Sequence, residues 1–145
     1  MKYQIVSDIN VLRKKSVLVE KKELALSVIK SLEESLDTKK GFGLSAIQIG
    51  IPLRVGIIRT PDCKLDLWNP KIIDKSVRFH FKGEGCLSIP GVYVDTSRYK
   101  EITIENGDGR KYSLEGIEAI VVQHEINHMD GKLIIDKEFK WKKRR

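Results

Sequence analysis

Histidine is scarce in this chain, with three in 145 residues, as are cysteine and methionine, with two each, and proline, with four. Two cysteines, Cys63 and Cys86, are too few for a disulfide framework. They suit a reducing compartment, where a free thiolate survives to bind metal, and are not read as a pair. No apolar run approaches the roughly 18 residues a membrane-spanning helix needs. The N-terminus, MKYQIVSDIN, has neither an apolar signal core nor an arginine-rich presequence. A soluble, cytoplasmic protein without a membrane partner is therefore expected. The chain also lacks repeats, low-complexity segments and linkers. One domain over 1–145 is expected, large enough to bury about two-thirds of the surface its unfolded form exposes.

What is present is charge: 27 Lys+Arg against 20 Asp+Glu, a net +7, on a chain that is 41% hydrophobic. That balance favours acidic partners such as RNA without demanding them, and nothing points to DNA. Six of the cations fall in the last nine residues, KEFKWKKRR, a short basic tail over 137–145. Such a tail is either solvated or touches a phosphate backbone.

Apolar residues Leu24, Val28, Leu32 and Leu36 recur every four positions, widened by Ala25 and Ile29, and predict an amphipathic helix over Lys21 to Leu36. Lys39, Lys40 and Gly41 follow its end. The segment GFGLSAIQIG precedes Pro52 and a strand-like run, LRVGIIR. Further strands are expected at Leu65 to Trp68, Val77 to Phe81 and Val92 to Asp95. Ile102 and Ile104 alternate with polar residues, as do Tyr112 and Leu114, and Asn106-Gly107-Asp108-Gly109 lies between them as the turn of a β-hairpin. A second helix over Gly116 to Met129 places Ile117, Ile120, Val121, His124 and His128 on one face, with Gly131 as its left-handed cap. Helix, many short strands, helix indicates an α+β fold with mainly antiparallel sheets.

The second helix carries the chemistry. His124, Glu125 and His128 form HExxH, in which residues i and i+4 share a helical face and both imidazoles reach one metal with the glutamate beside it. This arrangement suits metal-assisted hydrolysis. A hydrolytic metal usually takes three protein ligands, so one is missing from the motif. His80, in VRFHF, reads as an exposed strand histidine opposite a Val77, Phe79, Phe81 face. Cys86 is the stronger candidate: it sits in GEGCLSIPG between turn-forming residues, although a buried apolar thiol is the ordinary role for cysteine.

Three segments together resemble one family, the peptide deformylases. GFGLSAIQ is similar to the family's GxGxAAxQ, EGCLS (Glu84 to Ser88) is identical to its second motif, and QHEINH (Gln123 to His128) is similar to QHExDH. The likeness runs from VLRKKS through WNPKI (Trp68 to Ile72) to GKLIID (Gly131 to Asp136). It implies antiparallel sheets packed around a central helix carrying HExxH, and removal of the formyl group from N-formylmethionyl nascent peptides in a bacterial-type cytosol or that of an infected bacterial host. It implies Cys86, His124 and His128 as ligands of one divalent metal, natively Fe²⁺, with Zn²⁺, Ni²⁺ or Co²⁺ as substitutes. Glu125 would be the proton carrier, and the Gln48 amide and Leu87 backbone N–H the donors to the oxyanion. Gly43 would offer main-chain groups to an extended substrate, and Phe42, Ile117, Ile120 and Val121 are candidates for the methionine pocket as well as for core packing. Glu84 and Arg98 either pair in support of the Cys86 strand or occupy ordinary surface positions.

The chain departs from the family pattern in three places. Ser45 stands where the first alanine of Ala-Ala is usual, adding a hydroxyl that needs a partner if buried. Asn127 stands where aspartate is usual, removing a charge beside the ligand histidines. Most bacterial members continue into a longer C-terminal helix, so ribosome contact is expected only through the basic tail. Two other functions compete: a general metallopeptidase, which predicts His or Glu as third ligand, and a non-catalytic RNA- or ribosome-binding module that keeps metal only for folding.

Overall fold

A computed structural model describes residues 1–142. The first element, α1 (Ile9–Leu12), is a single turn capped by the Asp8 carboxylate, which accepts the Asn10 N–H. The longer α2 (Lys22–Ser35) agrees with the expected amphipathic helix to within a residue at each end. Its buried face is Ala25, Val28, Ile29 and Leu32, continued by Leu36 after the helix ends. Leu24 is 47% exposed, so the expected stripe is rotated: packing follows the Ala25 and Ile29 edge.

Three antiparallel sheets follow. The first contains β1 (Gly43–Ser45), β2 (Val55–Thr60) and β3 (Cys63–Trp68), with β1 at its edge. Between β1 and β2 a 3₁₀ turn runs over Ala46–Ile49. The second sheet has the order β4 (Lys71–Lys75), β7 (Glu101–Glu105), β8 (Lys111–Glu115). In its β7–β8 hairpin Ile102 faces Leu114 and Ile104 faces Tyr112, as the alternation predicts. Strand β4 had no sequence signal of its own, and neither did β1 or α1; each is short and takes its definition from its neighbours.

The third sheet is the long hairpin β5 (Arg78–Cys86) and β6 (Ile89–Tyr99). Both strands exceed the expected spans. The register slips between Phe81 and Glu84 and again between Gly85 and Cys86. Each irregularity re-aims side chains, and together they turn Glu84 and Cys86 inward, on the side where Thr96 and Arg98 of β6 are buried. The expected apolar face of β5 is not a core face: Val77 lies outside the strand and is 71% exposed, while Phe79 and Phe81 pack edge to face against each other.

The last helix, α3 (Gly116–Met129), has the expected bounds. It is not amphipathic. Ten of its fourteen residues are buried, with Ala119, Val122, Ile126 and Met129 joining Ile58, Leu67, Ile102 and Ile104 in one apolar cluster on the side away from the histidines. A helix buried on nearly all sides contacts several layers at once, here β1, β2, β6, β7 and β8. It ends at Gly131, whose φ of +73° closes the left-handed cap. The fold is α+β with antiparallel sheets around that helix. Among the described residues no helix is long and apolar enough to cross a membrane.

Candidate metal centre

The i, i+4 spacing on α3 brings the Nε2 atoms of His124 and His128 to 3.2 Å. The bulged end of β5 supplies Cys86, whose Sγ lies 3.3 Å from His128 Nε2. One nitrogen from each histidine and the sulfur all lie within 4.8 Å of one another. His80 is elsewhere, half-buried, with Nε2 3.0 Å from Asp95 Oδ2. Donor atoms bound tetrahedrally at about 2.0–2.3 Å are themselves about 3.3–3.6 Å apart, close to the two spacings that His128 Nε2 makes with His124 and Cys86.

Hydrogen bonding supports the fit. Glu84 Oε2 accepts from His124 Nδ1 at 2.8 Å, which leaves His124 Nε2 facing the other two donors. Glu84 is anchored in turn by the Thr96 hydroxyl and by two donors of Arg98, Nε and Nη2. Glu84 and Arg98 are 4% and 2% exposed, which rules out surface roles for both. Burial opposes ionisation of Glu84, but the hydrogen bonds from His124 and Arg98 overcome it and hold its carboxyl at about 2. Burial also opposes charge on His124, yet the Glu125 carboxylate, the Cys86 sulfur and Glu84 outweigh it and raise the imidazole to about 10. His128, buried beside a charged neighbour, is pushed well below the ordinary range. His128 Nδ1 is buried with no hydrogen-bond partner.

Glu125 faces the same space. Burial lifts its carboxyl to about 7, against the opposing charge of His124 and the hydrogen bond from Ser45. Ser45 is fully buried, and its Oγ lies 2.9 Å from the Glu125 carbonyl oxygen and 3.2 Å from Glu125 Oε1. The hydroxyl that departs from the family pattern therefore has its partners. Ser45 also closes a capping box: its Oγ accepts the Gln48 N–H, and Gln48 Oε1 accepts the Ser45 N–H at 2.9 Å. With its oxygen so engaged, Gln48 points its amide nitrogen at Ser88 Oγ, 3.1 Å away, and towards Cys86 Sγ at 3.9 Å. The Ser-x-x-Gln spacing is the local signal that could have revealed this box, and the reading of the sequence missed it; the Ser88 and Glu125 contacts had no local signal.

A cleft of about 750 Å³ opens over these groups, lined by Gln48, Cys86, His124 and Glu125 and by every expected substrate residue: Phe42, Gly43, Ile117, Ile120 and Val121. Leu87 also lines it, in the turn joining β5 to β6. Ile120 and Val121 are buried, whereas Phe42 and Ile117 stand at the rim, 42% and 37% exposed. Gly43 has a second reason to be glycine: a Cβ there would lie 2.7 Å from Glu125 Oε2 and 2.8 Å from Val121 Cγ1. Asn127 accepts from Arg98 Nη1 through its amide oxygen, a hydrogen bond that needs no charge on the acceptor. Another cleft, about 540 Å³ along the second sheet between Asp74, Glu101 and Ser113, contains neither histidine nor cysteine.

An α+β fold of antiparallel sheets, holding a Cys/His/His donor set and a buried glutamate on an HExxH helix, defines a metallohydrolase. The polypeptide deformylase family model matches residues 3–144, and the chain belongs to that family. A peptide deformylase from Pseudothermotoga lettingae is 42% identical over 131 residues, covering 87% of this chain and 76% of that protein. The crystal structure of peptide deformylase from Thermotoga maritima superposes with a TM-score of 0.83 at 34% identity, covering 94% and 97% of the two chains. That of a probable peptide deformylase from synechococcus phage S-SSM7 gives 0.78 at 36% identity, covering 94% and 98%.

Proposed function

We propose that Cys86, His124 and His128 hold one divalent metal, and that around it the chain hydrolyses the formyl amide of N-formylmethionyl nascent peptides, releasing formate. The observation that carries this reading is the convergence of those three donors at a cleft that Cys86 and His124 line together with the Glu125 carboxyl and the Gln48 amide. A cation in this position supplies Lewis-acid polarisation and makes water acidic enough to act as a nucleophile near neutral pH. Fe²⁺ is the native candidate, with Zn²⁺, Ni²⁺ and Co²⁺ as substitutes. A cysteine in the donor set distinguishes the site from the His or Glu third ligand expected of a general metallopeptidase.

The chain's own residues do the remaining work. Glu125, raised to about 7, accepts a proton from water and passes it to the departing amine. As the formyl oxygen gains charge, the Gln48 amide and the Leu87 backbone N–H donate to it; the capping box already orients Gln48, so little reorganisation is needed. The methionine side chain enters between Ile120 and Val121, with Phe42 and Ile117 at the mouth. The following residues lie extended along β1, an edge strand, where Gly43 lets the substrate backbone approach. Such a substrate places the enzyme in a bacterial-type cytosol, or that of an infected bacterial host, as one catalytic unit.

The test is formate release from formyl-Met peptides by Fe²⁺- or Ni²⁺-loaded protein handled without oxygen. Cleavage of internal peptide bonds with no formate would overturn the reading. Glu125→Ala is expected to retain metal and to lose about 10²–10⁴ in turnover; an unchanged variant would favour a binding module instead. The basic segment is a candidate for ribosome contact, and of it Lys143, Arg144 and Arg145 lie outside the described residues.

A further inference from the structure

The chemistry above leaves the C-terminal segment without a role, yet its described part is not a free tail. Lys137–Phe139 form a 3₁₀ turn and Phe139 is buried. Lys140 then bridges to Thr96 of β6, and the Trp141 N–H donates to the Asp95 carbonyl at 3.0 Å. The Trp141 indole stacks on the His80 ring, centroids 4.8 Å apart and planes 4° from parallel. His80 Nε2 lies 3.0 Å from the Asp95 carboxylate, which ties β5, β6 and the segment into one unit. Beneath it, the guanidinium carbon of Arg98 sits 5.2 Å from the centroid of the Phe139 ring. Thr96 and Arg98, two residues apart on β6, both bond the Glu84 carboxylate.

We propose that Phe139–Trp141 is a strap that holds the metal centre in position: Phe139 seals Arg98 from water, and Arg98 with Glu84 then fixes the ring of His124. The proposal rests on reading Cys86, His124 and His128 as the ligands. A cation over an aromatic face is attracted to it, and the attraction grows as water is excluded. The same exclusion keeps the Arg98–Glu84 pair in a low dielectric, where its hydrogen bonds are strong and its geometry narrow. Each link is direct: ring to guanidinium at 5.2 Å, Arg98 Nε to Glu84 Oε1 at 2.7 Å, His124 Nδ1 to Glu84 Oε2 at 2.8 Å. Without Phe139, water reaches Arg98, the carboxylate gains freedom and His124 loses its fixed orientation. Phe139 and Trp141 are positioning residues that touch no reacting atom, and their signature is metal retention.

The experiment measures release of metal from Ni²⁺- or Co²⁺-loaded full-length protein to an excess of chelator, alongside thermal stability and peptide KM. Phe139→Ala is expected to release metal about tenfold faster, the lower end of what loss of an outer-shell partner costs, with KM unchanged. Phe139→Leu, which keeps an apolar cover, should stay near the wild-type rate. A control, Leu32→Ala in the α2 core, should lower thermal stability without speeding release. Release from Phe139→Ala at the wild-type rate, or equal acceleration in Leu32→Ala, would overturn the strap. Should Phe139→Ala fail to fold, Trp141→Ala serves: faster release supports the proposal and an unchanged rate overturns it. Equal metal content in wild type and Cys86→Ala would instead overturn the ligand reading itself, and the strap with it.

Discussion

At the scale of single residues, orientation is decided by what each polar atom is already bonded to. Gln48 spends its oxygen on Ser45 N–H, so only its amide donors face the cleft. Gln48→Ala is therefore expected to lower kcat by about 10²–10³ with little change in KM, the effect of losing one oxyanion donor. Steady-state kinetics on a formyl-Met peptide checks this, and a variant that loses only KM would assign Gln48 to substrate binding. Gly43 is constrained by contact: an added methyl would strike both Glu125 and Val121. Gly43→Ala should displace the carboxylate and lower kcat at least about tenfold, since misplacement by about 1 Å can cost a hundredfold. The comparison that isolates the effect is kcat at matched metal content.

At the scale of elements, α3 is set by its ends as much as by its apolar residues. Gly131 adopts φ +73°, and a Cβ there would lie 2.5 Å from the Arg13 carbonyl oxygen. Both the left-handed backbone and the close approach require glycine. Gly131→Ala is expected to destabilise the fold by about 1–3 kcal/mol, read from the midpoint of urea unfolding. An unshifted midpoint would show that the cap relaxes without cost. The bounds of α2 and α3 were legible beforehand because helical periodicity is local and both helices exceed three turns. Their buried faces were read less well. Leu24 and the single face assigned to α3 followed from period alone, whereas the sheets packed around each helix decide what is covered.

At the scale of the whole molecule, the termini are tied together. Arg13 and Asp136 form a two-pronged pair, Nη1 to Oδ2 and Nη2 to Oδ1, both at 2.7 Å, across 123 residues of sequence. Arg13 holds the Asp136 carboxyl below its usual range, against partial burial and with help from the Leu133 N–H. A carboxyl depressed in the folded state stabilises it above the unfolded value of about 3.9 and loses that contribution as pH falls through the folded value. Asp136→Asn should thus cost stability near pH 7, on the order of 1 kcal/mol after allowance for solvent screening. The difference from wild type should shrink below about pH 4. Denaturant titrations of both proteins at pH 7 and pH 3 decide it; a constant difference would assign the effect to packing.

The sequence alone determined what short-range geometry can encode. HExxH on a helix sets two imidazoles on one side whatever surrounds them, because 3.6 residues per turn brings i and i+4 together. The alternation of Ile102, Ile104, Tyr112 and Leu114 likewise specifies a hairpin register by itself. Only tertiary structure decided that Cys86 meets His128 from 42 residues away, that Ser45 touches Glu125 across 80, and that Glu84 and Arg98 are buried partners. These are contacts between distant elements, created by two slips of register in β5 and by burial of α3 on nearly all its sides. No local pattern carries them, because burial and long-range pairing depend on the segments that the rest of the chain packs alongside.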